Sequence, residues 1–186
     1  MNTLEMEQLE LNYLNSKGIE KGTSYVIVGF PQCGAQSLAE YLHKNGINCL
    51  SNEAWILLGE QGIEYYQKHC SEYNPIIVTR NPVERAWSDY WYTIQLNKDQ
   101  GLTETLRKAL LKKVSGDSFY DRYMGLWIKK FEPVLLRFES LLQQEDFPQE
   151  NQTEYKEKLD VTTINIIRGY INEERENFLS KENDRS

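Results

Sequence analysis

Short apolar runs rich in β-branched residues, each followed by a longer stretch of helical period, constrain the fold of this chain more than any other feature. Ser24-Tyr25-Val26-Ile27-Val28-Gly29 is the first run, and residues 47–50, 76–79 and 134–138 are the others. Runs this continuous, without polar alternation, suit strands covered on both faces. Between them lie residues 35–45, with Leu38, Ala39 and Leu42 facing inward and Gly46 as the C-terminal cap. Further helices are expected over 60–71, over 83–95 behind Pro82, and over 102–114, 119–131 and 161–179. Proline is tolerated in a first helical turn because its missing N–H has no intrahelical acceptor there. Residues 143–157 are polar and read as loop. Strands alternating with helices imply a three-layer α/β/α fold around a mainly parallel sheet of four or five strands.

A length of 186 residues suits one domain over 1–186. Leu4, Leu11 and Leu14 mark residues 1–23 as a helical extension, and 180–186 reads as a fraying tail. A net charge of −7 argues against broad binding to nucleic acid or anionic membrane, both of which need a basic face. It leaves room for a local anion pocket. Three cysteines, Cys33, Cys49 and Cys70, show neither a disulfide framework nor a zinc spacing. With two histidines, His43 and His69, and no carboxylate cluster, no metal site is expected. The acidic opening stretch is not a secretory signal, and no apolar run reaches membrane-spanning length. The expectation is a soluble, cytoplasmic protein; a lumenal domain cut from its anchor has the same composition.

The first chemical motif is the turn between run one and its helix. Gly29 and Gly34 bracket four residues, 30–33, as in a nucleoside-triphosphate loop, but Ala35 and Gln36 stand where such a loop carries Lys and Ser/Thr. An ATP- and magnesium-dependent phosphotransferase is disfavoured. The amides from Cys33 to Leu38 and the Ser37 hydroxyl remain suited to an anion, because amides at a helix start point outward with partial positive charge. A tight turn that binds nothing explains the same glycines equally well.

The second motif runs Arg80-Asn81-Pro82-Val83-Glu84-Arg85-Ala86-Trp87-Ser88-Asp89-Tyr90. Arg80 falls at the carboxyl end of an expected parallel strand, the edge where ligands of open α/β sheets bind. Ser88 follows about two helical turns further on. A guanidinium fork and a hydroxyl converging on one point suit a phosphate; an arginine paired with a nearby carboxylate and a surface serine are the plainer reading.

Together, in this order and each after a strand, the two motifs resemble those of the sulfotransferases that use 3′-phosphoadenosine 5′-phosphosulfate (PAPS). The family's first signature resembles P-K-x-G-T-T-S-L, here Pro31-Gln32-Cys33-Gly34-Ala35-Gln36-Ser37-Leu38. Its second resembles R-N-P-x-E-R-A-x-S-x-Y and matches Arg80 to Tyr90 at every specified position. The likeness runs on through Phe119-Tyr120-Asp121-Arg122-Tyr123 and Leu126-Trp127 to the run VLLRFESL, and the heparan-type carbohydrate enzymes are the nearest pattern. The resemblance implies PAPS as donor, a carbohydrate or small hydroxyl acceptor, and no metal. It places the 5′-phosphosulfate in the first loop (Gln32, Cys33, Gly34, Ala35, Gln36, Ser37) and the 3′-phosphate on Arg80 and Ser88. Glu53, in the place of the family's glutamate base, is the expected catalytic base, and Gln32, with the loop amides, is expected to hold the transferred group.

The family's loop lysine is here Gln32, a neutral amide that donates hydrogen bonds without a full charge. Losing one positioned donor of this kind costs on the order of 3–4 kcal/mol at the transition state. Either another cation substitutes, with Arg85 the nearest in sequence, or catalysis is weak or absent and the chain binds nucleotides like 3′,5′-bisphosphoadenosine (PAP), or a protein partner, without transfer. The late Lys-Gly nucleotide loop of the family has no counterpart after Phe138. Tyr90, Trp91 and Tyr92 suit either ligand stacking or core packing; Trp55 and Trp127 are expected in the core, and His43 and His69 at the surface.

Overall fold

The computed structural model describes residues 12–52, 55–97, 101–144, 146–148 and 158–183. Within the span read above as one domain, the chain divides into two compact units, Met1–Arg80 with Tyr123–Glu150, and Asn81–Arg122 with Asn151–Ser186.

The first unit holds the sheet. Strands β1 (Tyr25–Val28), β2 (Cys49–Asn52), β3 (Asn74–Thr79) and β4 (Val134–Arg137) lie in the order β2-β1-β3-β4. Every neighbouring pair is parallel, with Tyr25 opposite Cys49 and Asn74, and Ile76 opposite Val134. All four residues of β1 are buried, the burial its unbroken apolar run requires. Helix α1 (Ala35–Lys44) joins β1 to β2, α2 (Glu60–His69) joins β2 to β3, and α5 (Asp121–Phe131) precedes β4. The step from β1 to β2 runs one way across the sheet; the steps to β3 and β4 run the other way. Right-handed crossovers therefore put α1 on one face and α2 with α5 on the opposite face. Tyr66 of α2 packs on Trp127 and Phe131 of α5, with ring centroids 5.5 and 4.8 Å away. The fold class is α/β, with helices on both sides of a parallel sheet.

Strand β3 opens at Asn74 rather than residue 76, and the closing helix runs to Asn183, into the stretch read as a fraying tail; two other boundaries differ for identifiable local reasons. Strand β2 begins at Cys49 rather than residue 47 because Ile47 belongs to the end of α1. The Gly46 N–H donates to the His43 carbonyl and the Ile47 N–H to that of Leu42, each at 2.9 Å, with Gly46 at φ 72°. This paired capping pattern brings buried Ile47 onto buried Leu42. Strand β4 stops at Arg137, and Phe138 opens a short helix, α6 (Phe138–Leu141). A 3₁₀ turn, Trp55–Leu58, was not anticipated. It lies so close to α2 that a Cβ on Gly62 would stand 2.0 Å from the Trp55 carbonyl oxygen.

The second unit is helical: α3 (Pro82–Leu96), α4 (Glu104–Gly116) and α7 (Val161–Asn183). Val83, Ala86, Trp87, Tyr90, Trp91, Ile94, Val114 and Ile167 form its core. The expected opening helix survives among the described residues as a helical stretch over 12–16.

Candidate functional site

The connections leaving β1 and β3 diverge, so the carboxyl ends of these neighbouring strands form the topological switch point, where open α/β sheets bind ligands. The turn into α1 leaves the end of β1, and Arg80 directly follows β3. The structure brings these two parts together: Arg80 Nη1 donates to the Gln32 carbonyl oxygen at 3.3 Å.

The turn is tightly wound. Gln32 (φ 64°) and Gly34 (φ 78°) are both in the left-handed region, on either side of Cys33. A left-handed conformation is routine for glycine and costly for glutamine, so Gln32 is held there by its surroundings. The Cys33 N–H donates to the Phe30 carbonyl at 3.3 Å, and the Leu38 N–H to that of Gly34 at 2.9 Å. These two bonds shorten the cradle expected over 33–38, and Cys33, with its side chain fully buried, contributes packing rather than a donor. By helix geometry the amides of Ala35 and Gln36 have no intrahelical acceptor, and no side chain caps this end of α1. Such outward amides suit an anion. Ala35 and Ser37 are buried, while Gln36 is exposed and donates to Glu40 Oε1 at 3.5 Å.

Gly34 serves packing as well as conformation. A Cβ there would meet Phe138 Cε2 at 2.3 Å and Cδ2 at 2.5 Å. The close approach that glycine permits is therefore taken by a ring of the chain itself. The same ring carries the Arg80 guanidinium over it, Cζ standing 5.2 Å from the centroid. Sequence reasoning treated Phe138 as the last strand residue. The signal was present: an aromatic side chain at the carboxyl end of β4, the strand paired with β3, falls on the edge that carries Arg80.

The remainder of the second motif lies in the second unit and follows the grammar of a helix start. Asn81 Oδ1 accepts from the Val83 and Glu84 N–H groups at 3.0 and 3.4 Å, with Pro82 as the first helical residue. Ala86 and Tyr90 are core. Ser88 is 2 % exposed within α3, not a surface residue. Arg85, the cation suggested in place of the missing lysine, is fully buried in structural work. Its Nη1 donates to Ser118 Oγ at 2.8 Å and the Val114 carbonyl at 3.0 Å, and its Nη2 to Asp89 Oδ2 at 2.8 Å. Burial pushes the Asp89 carboxyl up from its ordinary 3.8, with Arg85 pulling the other way. Trp91 and Tyr90 pack with Trp87 in the core, whereas Tyr92 is exposed.

Glu53 lies outside the described residues. Trp127 is fully buried, and Trp55 is half-buried against Tyr65. His43 and His69 are exposed. His43 Nε2 sits 3.0 Å from the Cys49 carbonyl, and burial pushes the Cys49 thiol up to about 11, which keeps it protonated near neutrality. Among the described residues no group of three or more His, Cys, Asp or Glu is placed to hold a metal ion. Nor is any helix among them long and apolar enough to cross a membrane.

The fold and this edge define the class: an open parallel α/β protein whose switch point carries an arginine against an uncapped helix start. No protein-family model matches the chain, and no curated protein matches it.

Proposed function

We propose that this chain is a sulfotransferase-like protein that binds PAPS and passes its sulfuryl group to a hydroxyl of a carbohydrate or small acceptor. The observation that carries the reading is the meeting of Arg80 with the Gln32 turn at the switch point of the sheet. In this reading the Ala35 and Gln36 amides and the Ser37 hydroxyl hold the 5′-phosphosulfate end, with Gln32 and Gly34 shaping the turn. Arg80 holds the 3′-phosphate; Ser88, given the same role by the resemblance, belongs to the other compact unit. The acceptor oxygen attacks sulfur in line, the bond from sulfur to the bridging oxygen breaks, PAP leaves, and the acceptor proton passes to Glu53. No metal takes part.

A second reading, nucleotide binding without transfer, is favoured by a specific finding. The Arg85 guanidinium is buried against Asp89 and Ser118, so it is not the cation that replaces the loop lysine. Lacking that charge, transfer is expected to run roughly 10²–10³-fold below that of a lysine-bearing loop.

Titration calorimetry with PAP tests both readings. Binding that is lost in Arg80→Ala supports them; no heat at high micromolar PAP removes them. A Gln32→Lys variant then separates the two, since transfer to a panel of hydroxyl acceptors rises only if the scaffold is a weakened enzyme.

A further inference from the structure

We propose that Phe138 is a positioning residue of the anion site, its ring holding the Arg80 guanidinium at the Gln32 carbonyl while fixing the turn at Gly34. The inference deepens the nucleotide-binding reading and takes only its ligand class from it.

Three contacts meet at this ring. Its edge lies where a Gly34 Cβ would be, at 2.3 and 2.5 Å from that point. Its face carries the Arg80 guanidinium at 5.2 Å, inside the range of about 6 Å over which a cation is attracted to an aromatic quadrupole. The ring also meets Phe147 edge to face, centroids 6.2 Å apart, and Phe147 packs on Tyr41 of α1 at 5.5 Å. The ring is thus braced by the same helix whose first turn supplies the amides. A guanidinium held over a ring by its charge keeps its N–H donors available for hydrogen bonds. One of those donors reaches the Gln32 carbonyl. The guanidinium is accordingly held beside the turn at Gln32.

The test uses the full chain, with inorganic pyrophosphate and PAP as separate probes. Affinity is read by calorimetry, and the place of Arg80 by the ¹H–¹⁵N signal of its Nε–H, identified by its loss in Arg80→Lys. Held over the ring face, this proton is displaced upfield by the ring current. Phe138→Leu keeps an apolar side chain but removes the π face. It is expected to return the signal to its ordinary position and weaken both ligands about 3- to 30-fold. Phe138→Tyr keeps both signal and affinity. In the unsubstituted protein, pyrophosphate shifts the Arg80 signal. Unchanged affinity in Phe138→Leu, or affinity lost while the Arg80 signal stays in place, overturns the proposal, as does an Arg80 signal blind to pyrophosphate. Pyrophosphate binding without PAP binding removes the nucleotide reading and leaves the Phe138 proposal standing on the same readouts.

Discussion

Substituting Gly34 with alanine tests the geometry of the site without any ligand. The new Cβ brings two separable costs. Gly34 has φ 78°, and an L-residue in the left-handed region pays roughly 1–2 kcal/mol. The Cβ also falls 2.3 and 2.5 Å from two carbons of the Phe138 ring, closer than van der Waals contact allows. The ring is braced by Phe147, so it moves only by disturbing that packing, and overpacking of this kind costs about 1–3 kcal/mol. The sum, about 2–5 kcal/mol, is a large part of the 5–15 kcal/mol that usually separates folded from unfolded chains. Urea denaturation followed by tryptophan fluorescence reads the loss. With a slope of about 2 kcal/mol/M, the midpoint falls by about 1–2.5 M. Phe138→Leu in the same chain returns the packing part and leaves the backbone part, so the double variant recovers about 1–3 kcal/mol relative to additivity. A loss below about 0.5 kcal/mol in Gly34→Ala, or strict additivity with Phe138→Leu, refutes the account of the turn.

Two other glycines respond in opposite directions. Alanine normally stabilises a helix interior over glycine by about 1 kcal/mol, and Gly125 of α5 has open space, so Gly125→Ala raises the urea midpoint. Gly62→Ala lowers it, because its Cβ would lie 2.0 Å from a backbone oxygen that cannot swing aside; equal effects at the two sites refute this packing. Arg85→Met gives a pH-dependent loss. Asp89 is already held above 3.8 by burial, so the native chain keeps that proton longer than the unfolded chain, and the stability this contributes is lost as pH rises through the window above 3.8. Removing the opposing Arg85 widens the window. The loss is then smallest near pH 4 and grows to about 3–5 kcal/mol by pH 7. A cost independent of pH refutes the pairing.

The sheet was legible because β1 and the middle of β3 are short, buried apolar runs and each helix has its own period. β1 is buried along its whole length, and the turn into α1 and the start of α3 fall where the glycine and proline signals place them. What local sequence did not carry was tertiary. The start of β2 was misjudged because Ile47 is as apolar as a strand residue, yet its N–H closes the cap of α1. The close approach at Gly62 depends on a turn that is separate in sequence. The partners of Arg85 could not be read either: Asp89 is a neighbour on the same helix, but Val114 and Ser118 come from beyond α3. The ring on Gly34 comes from the far end of β4, a relation set by strand order alone.

This bears on how the second motif should be weighed. Asn81 caps, Pro82 opens the helix, Arg85 pairs with Asp89, Ala86 and Tyr90 fill the core, and Ser88 is buried between turns. A helix needs such residues whether or not a nucleotide is bound, so their match to a family signature speaks mainly for a shared way of starting α3. Arg80 stands outside that grammar. It precedes the helix, is half-buried, and spends a guanidinium donor on the carbonyl of a strained turn. Placing a guanidinium there costs desolvation, and the Gln32 carbonyl offsets part of it. Phe138 occupies the space beside Gly34, so in the proposed reading the anion is met by the Ala35 and Gln36 amides and by Arg80. Charge reversal at Arg80 must therefore weaken pyrophosphate binding far more than any change at Ser88 does.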